Sequence, residues 1–402
     1  MKLCPGERLE LPPDRGKPRI RLDWNPDRVK LVLDRLEVLS LDGEGRPVAH
    51  TVREGTFRRG LDGAVKRIWR VDGDIEHVHD AERLKPEQAA RWHARVRERL
   101  EEVWERLGGH PALEPARTID LSQDVRRFQS VFGDVPILPP DQYRALVLQL
   151  SRGCSYNRCT FCDLYKNVSF RVKSGAEFTR HLREATEYFG RALSFRRGIF
   201  LGEGNAGNLP TEQLTEALLQ IRSYFGLEGP GHPLELDKVS LFLDTFSSRR
   251  SVEEWARLRE LGLKSVQIGM ESGSLPVLRL LRKPGHPARI EQLVADLKEA
   301  GLQVNVILLS GAGAGRYEEA HVADTLASLN RMPLGGGDRI YLSEFVEHEH
   351  SEYAARAREQ GLEALDRRQL RAQTTRLRQG LRLASPPRGP WVCLYDVRQF
   401  VY

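Results

Sequence analysis

The chain has 402 residues, 40% hydrophobic and 29% charged, which allows one large core plus a smaller domain and is ordinary for a soluble protein. No run approaches the roughly 20 apolar residues of a membrane helix, and the opening Met1-Lys-Leu-Cys-Pro-Gly6 has no apolar stretch behind its lysine; no membrane span or signal peptide is expected, and cytoplasmic residence is. The net charge of +6 comes from arginines scattered among Asp and Glu, which reads as solvated surface more than as a nucleic-acid footprint.

Residues 1–140 read as a separate β-rich domain. Pro18–Trp24, Lys30–Leu41 and Val65–Val71 alternate apolar and polar residues between Gly, Asp and Pro. A long helix follows, with Trp92, Val96, Leu100, Val103 and Leu107 at steps of four or three and Gly108-Gly109 as its stop. Asp134 to Pro140 reads as a linker.

From about residue 141 to 350, short apolar strands alternate with amphipathic helices. The expected strands are Ala145–Leu150, Gly198–Leu201, Val239–Leu243, Ser265–Gly269, Val304–Leu309 and Arg339–Leu342. Ser174 with Glu177 and Ser251 with Glu254 form capping-box starts, and Gly262 and Gly301 end helices just before strands. Six such repeats imply parallel strands in an open, partial barrel. Residues 351–402 read as an Arg-rich helical extension with a final apolar tail packed over one end of that barrel.

Three of the five cysteines, Cys154, Cys159 and Cys162, lie within nine residues directly after the first of these strands. Loops at the C-terminal ends of barrel strands carry the chemistry of such folds. Three thiolates on one loop suit a 4Fe–4S cubane, each ligating one iron and leaving the fourth iron open to a chelating ligand. A structural zinc site wants a fourth Cys or His. His181, the next histidine, falls inside an expected helix and is a poor fourth ligand; Cys4 and Cys393 are isolated and distant in sequence.

The stretch Cys154-Ser-Tyr-Asn-Arg-Cys159-Thr-Phe-Cys162 resembles the cluster motif of the radical S-adenosylmethionine (radical SAM) superfamily, from about Gln142 to His350. It keeps the two-residue second gap and the aromatic Phe161 before the third cysteine, and it has four residues in the first gap where the family usually has three. The resemblance implies an α/β fold, a partial (β/α)6 radical SAM barrel beside a smaller N-terminal β-rich α+β domain. It implies a 4Fe–4S cluster, S-adenosylmethionine bound at the open iron, a reductant such as flavodoxin or ferredoxin, and reductive cleavage to a 5′-deoxyadenosyl radical. Leu201-Gly202-Glu203-Gly204-Asn205 is similar to the family's Gly-Gly-Glu stretch that meets the methionine amino group. Val266 to Ser274, with Arg282-Lys283 following, resembles the branch containing oxygen-independent coproporphyrinogen oxidase and the methylthiotransferases; there Glu271 matches a residue that touches the cofactor and Arg282 or Lys283 matches a cation.

The expected cofactor-binding residues are Phe161, Gly202, Glu203, Asp244, Glu271 and Arg282, with Cys154, Cys159 and Cys162 as metal ligands and no catalytic residue assigned. Asp244 ends the third strand; Ser310 to Gly313, Ser343 and Glu344 end the fifth and sixth. His321, His348 and His350 fall near the same end and read as solvated more than catalytic. No dinucleotide fingerprint, Walker motif, second cysteine cluster or cobalamin-binding domain is recognised in the sequence. The substrate stays unknown, with a small molecule favoured. Two alternatives stand: a nonenzymatic iron–sulfur or zinc protein with a structural or redox-sensing role, and an RNA- or peptide-modifying radical enzyme whose front domain docks the substrate.

Overall fold

A computed structural model of the chain describes residues 6, 8–14, 16–34, 36–70, 79–227, 231–244, 250–347 and 351–402; Cys4, Val71, His348 and His350 lie outside the described residues. The chain divides into two compact units: residues 1–146, 183–197 and 397–402 form one, and residues 147–182 and 198–396 form the other.

The first unit is built on an antiparallel meander of eight strands in sequential order: β1 (Arg8–Leu11), β2 (Ile20–Asn25), β3 (Arg28–Leu33), β4 (Glu37–Asp42), β5 (Pro47–Val52), β6 (Gly55–Arg59), β7 (Val65–Arg70) and β8 (His79–Arg83). The expected Lys30–Leu41 strand is two strands, because Asp34 takes a positive φ of 50° and turns the chain between β3 and β4. One sheet face buries Ile20, Leu22, Leu31 and Leu39 against the helix Pro86–Arg106, whose Trp92, Val96, Leu100 and Val103 form the apolar stripe read from the sequence. Gly108 and Gly109, at φ 61° and 80°, follow its last turn, where an L side chain would be strained. Beyond it, the stretch from Asp134 to Pro139 carries no regular structure and buries Val135 and Leu138.

A second focus of this unit is polar and buried. Arg46 donates to Asp124 at 2.8 Å, to Asp42 at 3.1 Å and to the Tyr188 carbonyl at 3.0 Å. Around it Phe128, Phe132, Tyr188, Phe189 and Tyr402 form an aromatic cluster with ring centroids 5.1–6.3 Å apart.

The second unit carries seven strands in one parallel sheet: β9 (Leu146–Gln149), then, after a short antiparallel ribbon of β10 (Ser151–Arg152) and β11 (Arg171–Val172), β12 (Ile199–Gly202), β13 (Val239–Leu243), β14 (Leu263–Glu271), β15 (Gln303–Ser310), β16 (Arg339–Glu344) and β17 (Trp391–Tyr395). The order runs β9, β12 and on to β17 without reversal, as in a barrel rather than a doubly wound sheet. Six strands match the sequence reading. The seventh, β17, comes from the tail expected to cap the barrel; it pairs with β16 instead, Tyr341 opposite Cys393.

The strand alternation sorts the two faces. Val266, Ile268 and Met270 of β14 lie with Val304, Val306 and Leu308 of β15 on one side, all fully buried. The other side carries Ser240, Ser265, Gln267 and Asn305, a polar face rarely tolerated unless it serves a site. Both capping boxes form: the Glu177 amide donates to Ser174 Oγ at 3.3 Å and that of Glu254 to Ser251 Oγ at 3.3 Å.

Candidate active site

The cysteine loop leaves the C-terminal end of β9 and returns through the ribbon of β10 and β11, which closes residues 153–170 into a compact loop. Its backbone is held mostly by hydrogen bonds that do not involve the sulfur atoms. Thr160 donates its amide to the Leu281 carbonyl and its hydroxyl to that of Leu280, both at 3.0 Å, and accepts from the Tyr353 amide at 3.1 Å. Lys166 donates to the carbonyls of Asn157 and Cys159 at 3.1 and 3.0 Å. The Asn157 amide points at Cys154 Sγ, 3.4 Å away. Phe161 packs into an apolar cluster with Val277, Leu281, Ala312 and Tyr353, so the aromatic before the third cysteine anchors the loop.

All three thiols are half-buried. Burial pushes the Cys159 thiol up to about 12, against the pull of Lys283, and raises that of Cys162. Without a cation such thiols stay protonated; a bound metal reverses this by deprotonating the coordinating sulfur. Among the described residues, no group of three or more His, Cys, Asp or Glu side chains is gathered about a single-ion position.

Glu203, just past β12, clamps this loop to the sheet. Its carboxylate accepts from Gln149 Nε2 at 2.8 Å and from the Gly153 amide at 2.5 Å, and burial raises its pKa. Both oxygens are therefore engaged by the protein. Asn205 adds a second tie, donating to Ser155 Oγ at 3.0 Å. Between them Gly204 allows the two segments to touch: a Cβ there would stand 2.8 Å from the Gly153 carbonyl and 3.0 Å from Cys154 Cβ. Gly202 is buried at the end of β12, and a Cβ on it would meet only ordinary contacts, the nearest at 3.7 Å.

A buried charge group lies at the ends of β13 and β14. Lys283 Nζ donates to Asp244 Oδ2 at 2.9 Å and to Glu271 Oε1 at 3.0 Å, with the three side chains 8%, 15% and 9% exposed. Burial works against the Lys283 ammonium, but the two carboxylates outweigh it and hold its pKa well above the usual range. The ammonium stays charged, and burial raises Glu271 against its pull. Two carboxylates face one ammonium, so the group has room for a second cation. Asn208 fixes Asp244 through its backbone, accepting from the Asp244 amide at 2.8 Å. Lys283 acts electrostatically on Cys159, and Tyr156 of the cysteine loop donates to the Arg282 carbonyl at 2.9 Å.

Arg282, the cation chosen from the sequence, pairs instead with Glu352 at 2.5 Å, 47% and 40% exposed, while its neighbour Lys283 enters the site. Sequence spacing alone does not separate the two; Arg282 has a positive φ of 47°, and that turn decides which side chain points inward. The sequence reading assigns no role to Gln149, at the end of β9, or to Ser155 and Asn205 in the loops that follow strands, since single polar residues carry no pattern. Ser310, at the end of β15, is fully buried, and Ser343 and Glu344 end β16. His321, read as solvated, is fully buried and bonds Ser272 Oγ through Nδ1 at 2.8 Å beneath the Glu271 turn. His181 accepts from the Gln149 amide at 3.0 Å, a core role. Cys393 sits half-buried in β17.

A sequence profile of the Radical SAM superfamily matches residues 148–326. No curated protein matches the chain. Among solved structures, coproporphyrinogen III oxidase from Escherichia coli aligns at 16% identity and TM-score 0.41, covering 63% of this chain and 55% of that one. The cobalamin-dependent S-adenosylmethionine radical enzyme OxsB aligns at 16% identity and TM-score 0.37, over 56% of this chain and 30% of that one. The radical S-adenosylmethionine methyltransferase TsrM from Kitasatospora setae aligns at 16% identity and TM-score 0.38, over 54% and 40%. This chain thus spans less than a third of the OxsB chain and about half of the oxidase. Residues 148–326 thus match the radical SAM superfamily, whose members work with a 4Fe–4S cluster and S-adenosylmethionine.

Proposed function

We propose that Cys154, Cys159 and Cys162 each ligate one iron of a 4Fe–4S cluster and that S-adenosylmethionine takes the fourth. The observation that carries this reading is a three-thiol loop anchored mostly through Thr160, Lys166 and Glu203, set beside a buried group with more carboxylate than cation. Held by these cysteines and reduced by a protein such as flavodoxin or ferredoxin, a cluster would supply the electron for reductive cleavage of S-adenosylmethionine, the chemistry by which the family starts radical reactions on an organic substrate.

The chain's own residues position and shield. Glu203 and Asn205 hold the cysteine loop through Gly153 and Ser155, and the missing side chain of Gly204 lets the two segments meet closely beside Cys154. Asp244 and Glu271 offer carboxylate to the cofactor's cationic or hydroxyl groups, and Lys283 keeps the pair from repelling each other. Phe161 and its apolar neighbours exclude water from one side of the loop.

The test is anaerobic reconstitution. The protein should carry about four irons per chain and, with dithionite or flavodoxin, should release 5′-deoxyadenosine. Cys159→Ala should lose the iron. Stoichiometric zinc with no iron would overturn the proposal in favour of a structural metal protein, and an intact cluster that never cleaves S-adenosylmethionine would favour a redox sensor.

A further inference from the structure

Glu271 sits at a φ of 59°, a backbone region that strains an L residue and persists only where its surroundings over-determine it. The Ser272 amide donates to the Met270 carbonyl at 2.7 Å and closes a tight turn around Glu271. Ser272 Oγ accepts from the Ser274 amide at 3.0 Å and bonds His321 Nδ1 at 2.8 Å. One helical turn beyond His321, Thr325 Oγ1 accepts from the Gly273 amide at 2.8 Å. His321 and Thr325 stand four residues apart in the helix Glu318–Leu329, on one of its faces. That helix comes so close that a Cβ on Gly273 would stand 2.5 Å from the Asp324 carbonyl oxygen and 2.6 Å from Thr325 Cα. Ser272, Ser274, His321 and Thr325 are all fully buried. Past the turn the chain enters the helix Leu275–Leu280, whose exit delivers Lys283. The clamped segment therefore joins Glu271 to the ammonium it meets at 3.0 Å.

Stability alone does not call for this arrangement. With Nδ1 accepting the Ser272 hydroxyl, the His321 ring proton sits on Nε2, and among the described residues no acceptor meets it there. A buried polar group without a partner is costly, and an apolar side chain would fill the same space without one. Departures of this kind from fully satisfied packing are expected where a site has to be held. Here the strained turn and the half-satisfied imidazole are neighbours: the turn carries the carboxylate, and the imidazole fixes the turn. We infer that His321 and Thr325 are positioning residues that, through Ser272 and Gly273, hold the turn presenting Glu271 to S-adenosylmethionine. The inference rests on the reading of Glu271 as a cofactor contact.

The experiment is a pair of double-mutant cycles on the full-length protein. In the first, with no S-adenosylmethionine present, Glu271→Gln should lower the urea midpoint of wild type more than that of His321→Leu or Thr325→Val, because a released turn no longer holds the carboxylate on Lys283. The second uses the reduced, cluster-loaded protein followed by electron paramagnetic resonance. His321→Leu and Thr325→Val should each weaken S-adenosylmethionine binding by about fivefold. In the Glu271→Ala background the same changes should alter affinity by less than about twofold. His321→Gln and Thr325→Ser, which keep an acceptor, should retain most of the affinity. Ser328→Ala is the control: it removes a buried hydroxyl of the same helix that donates to Glu291 at 2.7 Å, and it should lower stability without changing affinity. Additive losses in the first cycle, or affinity losses that persist in the Glu271→Ala background, overturn the inference and leave His321 and Thr325 as core packing. Coupled stability in a protein whose intact cluster binds no S-adenosylmethionine overturns the cofactor reading, and this inference with it, by a different signature.

Discussion

Glu271 and Lys283 meet at 3.0 Å across a gap that a glycine keeps open: a Cβ on Gly269 would stand 2.5 Å from Glu271 Oε1 and 2.9 Å from Lys283 Nζ. Glu271 comes inward from the last position of β14, where the pairing with β15 shifts by one residue after Gly269 and Glu271 itself adopts a φ of 59°. The bulge re-aims the carboxylate, and the missing side chain two residues earlier makes room for it. Glu271→Ala should therefore leave iron content unchanged and weaken S-adenosylmethionine binding by about ten- to a hundredfold, the loss of one charge-assisted hydrogen bond of roughly 1.5–3 kcal/mol. Titration of the reduced, cluster-loaded protein followed by electron paramagnetic resonance measures this. Unchanged affinity removes Glu271 from the site.

Lys283 and Arg282 should behave in opposite ways although they are adjacent. Lys283→Met leaves Asp244 and Glu271 buried without their cation and should cost about 3–5 kcal/mol in unfolding free energy. Arg282→Ala breaks only the exposed pair with Glu352 and should change stability by less than about 1 kcal/mol. Parallel urea denaturation of the two variants is the measurement; equal losses would mean that the charge group is not what holds this corner.

The buried His321 makes the second unit sensitive to acid. Burial lowers its pKa from 6.5 to about 4, so between these values the unfolded chain binds a proton that the folded chain refuses. Stability is present above pH 6.5 and falls as the pH drops toward 4, by roughly 2 kcal/mol at pH 5 from this group. His321→Gln keeps a side-chain acceptor for Ser272 and should flatten that part of the pH profile in denaturant titrations at pH 7 and pH 5. A variant as acid-sensitive as wild type would assign the effect to other groups, His93 first, whose pKa burial also lowers to about 4.

Arg46 is the corresponding weak point of the first unit. Its guanidinium is 3% exposed and satisfies Asp42 and Asp124 together. Arg46→Met should destabilise that unit by about 3–5 kcal/mol, because two carboxylates stay buried without a counter-charge. Arg46→Met combined with Asp42→Asn and Asp124→Asn should recover much of this loss in calorimetry. No recovery would place the cost in packing against Tyr188, whose ring centroid is 4.5 Å from the guanidinium carbon, and not in charge.

The sequence by itself determined the features that are local in the chain. Alternating apolar residues marked strands of the first unit, short apolar runs between helices marked the parallel strands, four- and three-residue steps marked the helix Pro86–Arg106, and Ser-x-x-Glu starts marked two more helices, because side-chain period and capping act within a few residues. The three thiols were legible for the same reason: one loop holds them all. Tertiary structure decided what depends on residues far apart in sequence. It chose Lys283 over Arg282 by the direction of one turn, buried His321 beneath Ser272 from 49 positions away, and turned the tail Trp391–Tyr395 into a seventh strand beside β16. It also placed residues 183–197 and 397–402 in the first unit, where Tyr188 and Tyr402 complete an aromatic cluster begun by Phe128 and Phe132. Such contacts follow from which faces are left to bury once the strands have paired, and no local pattern of residues records that.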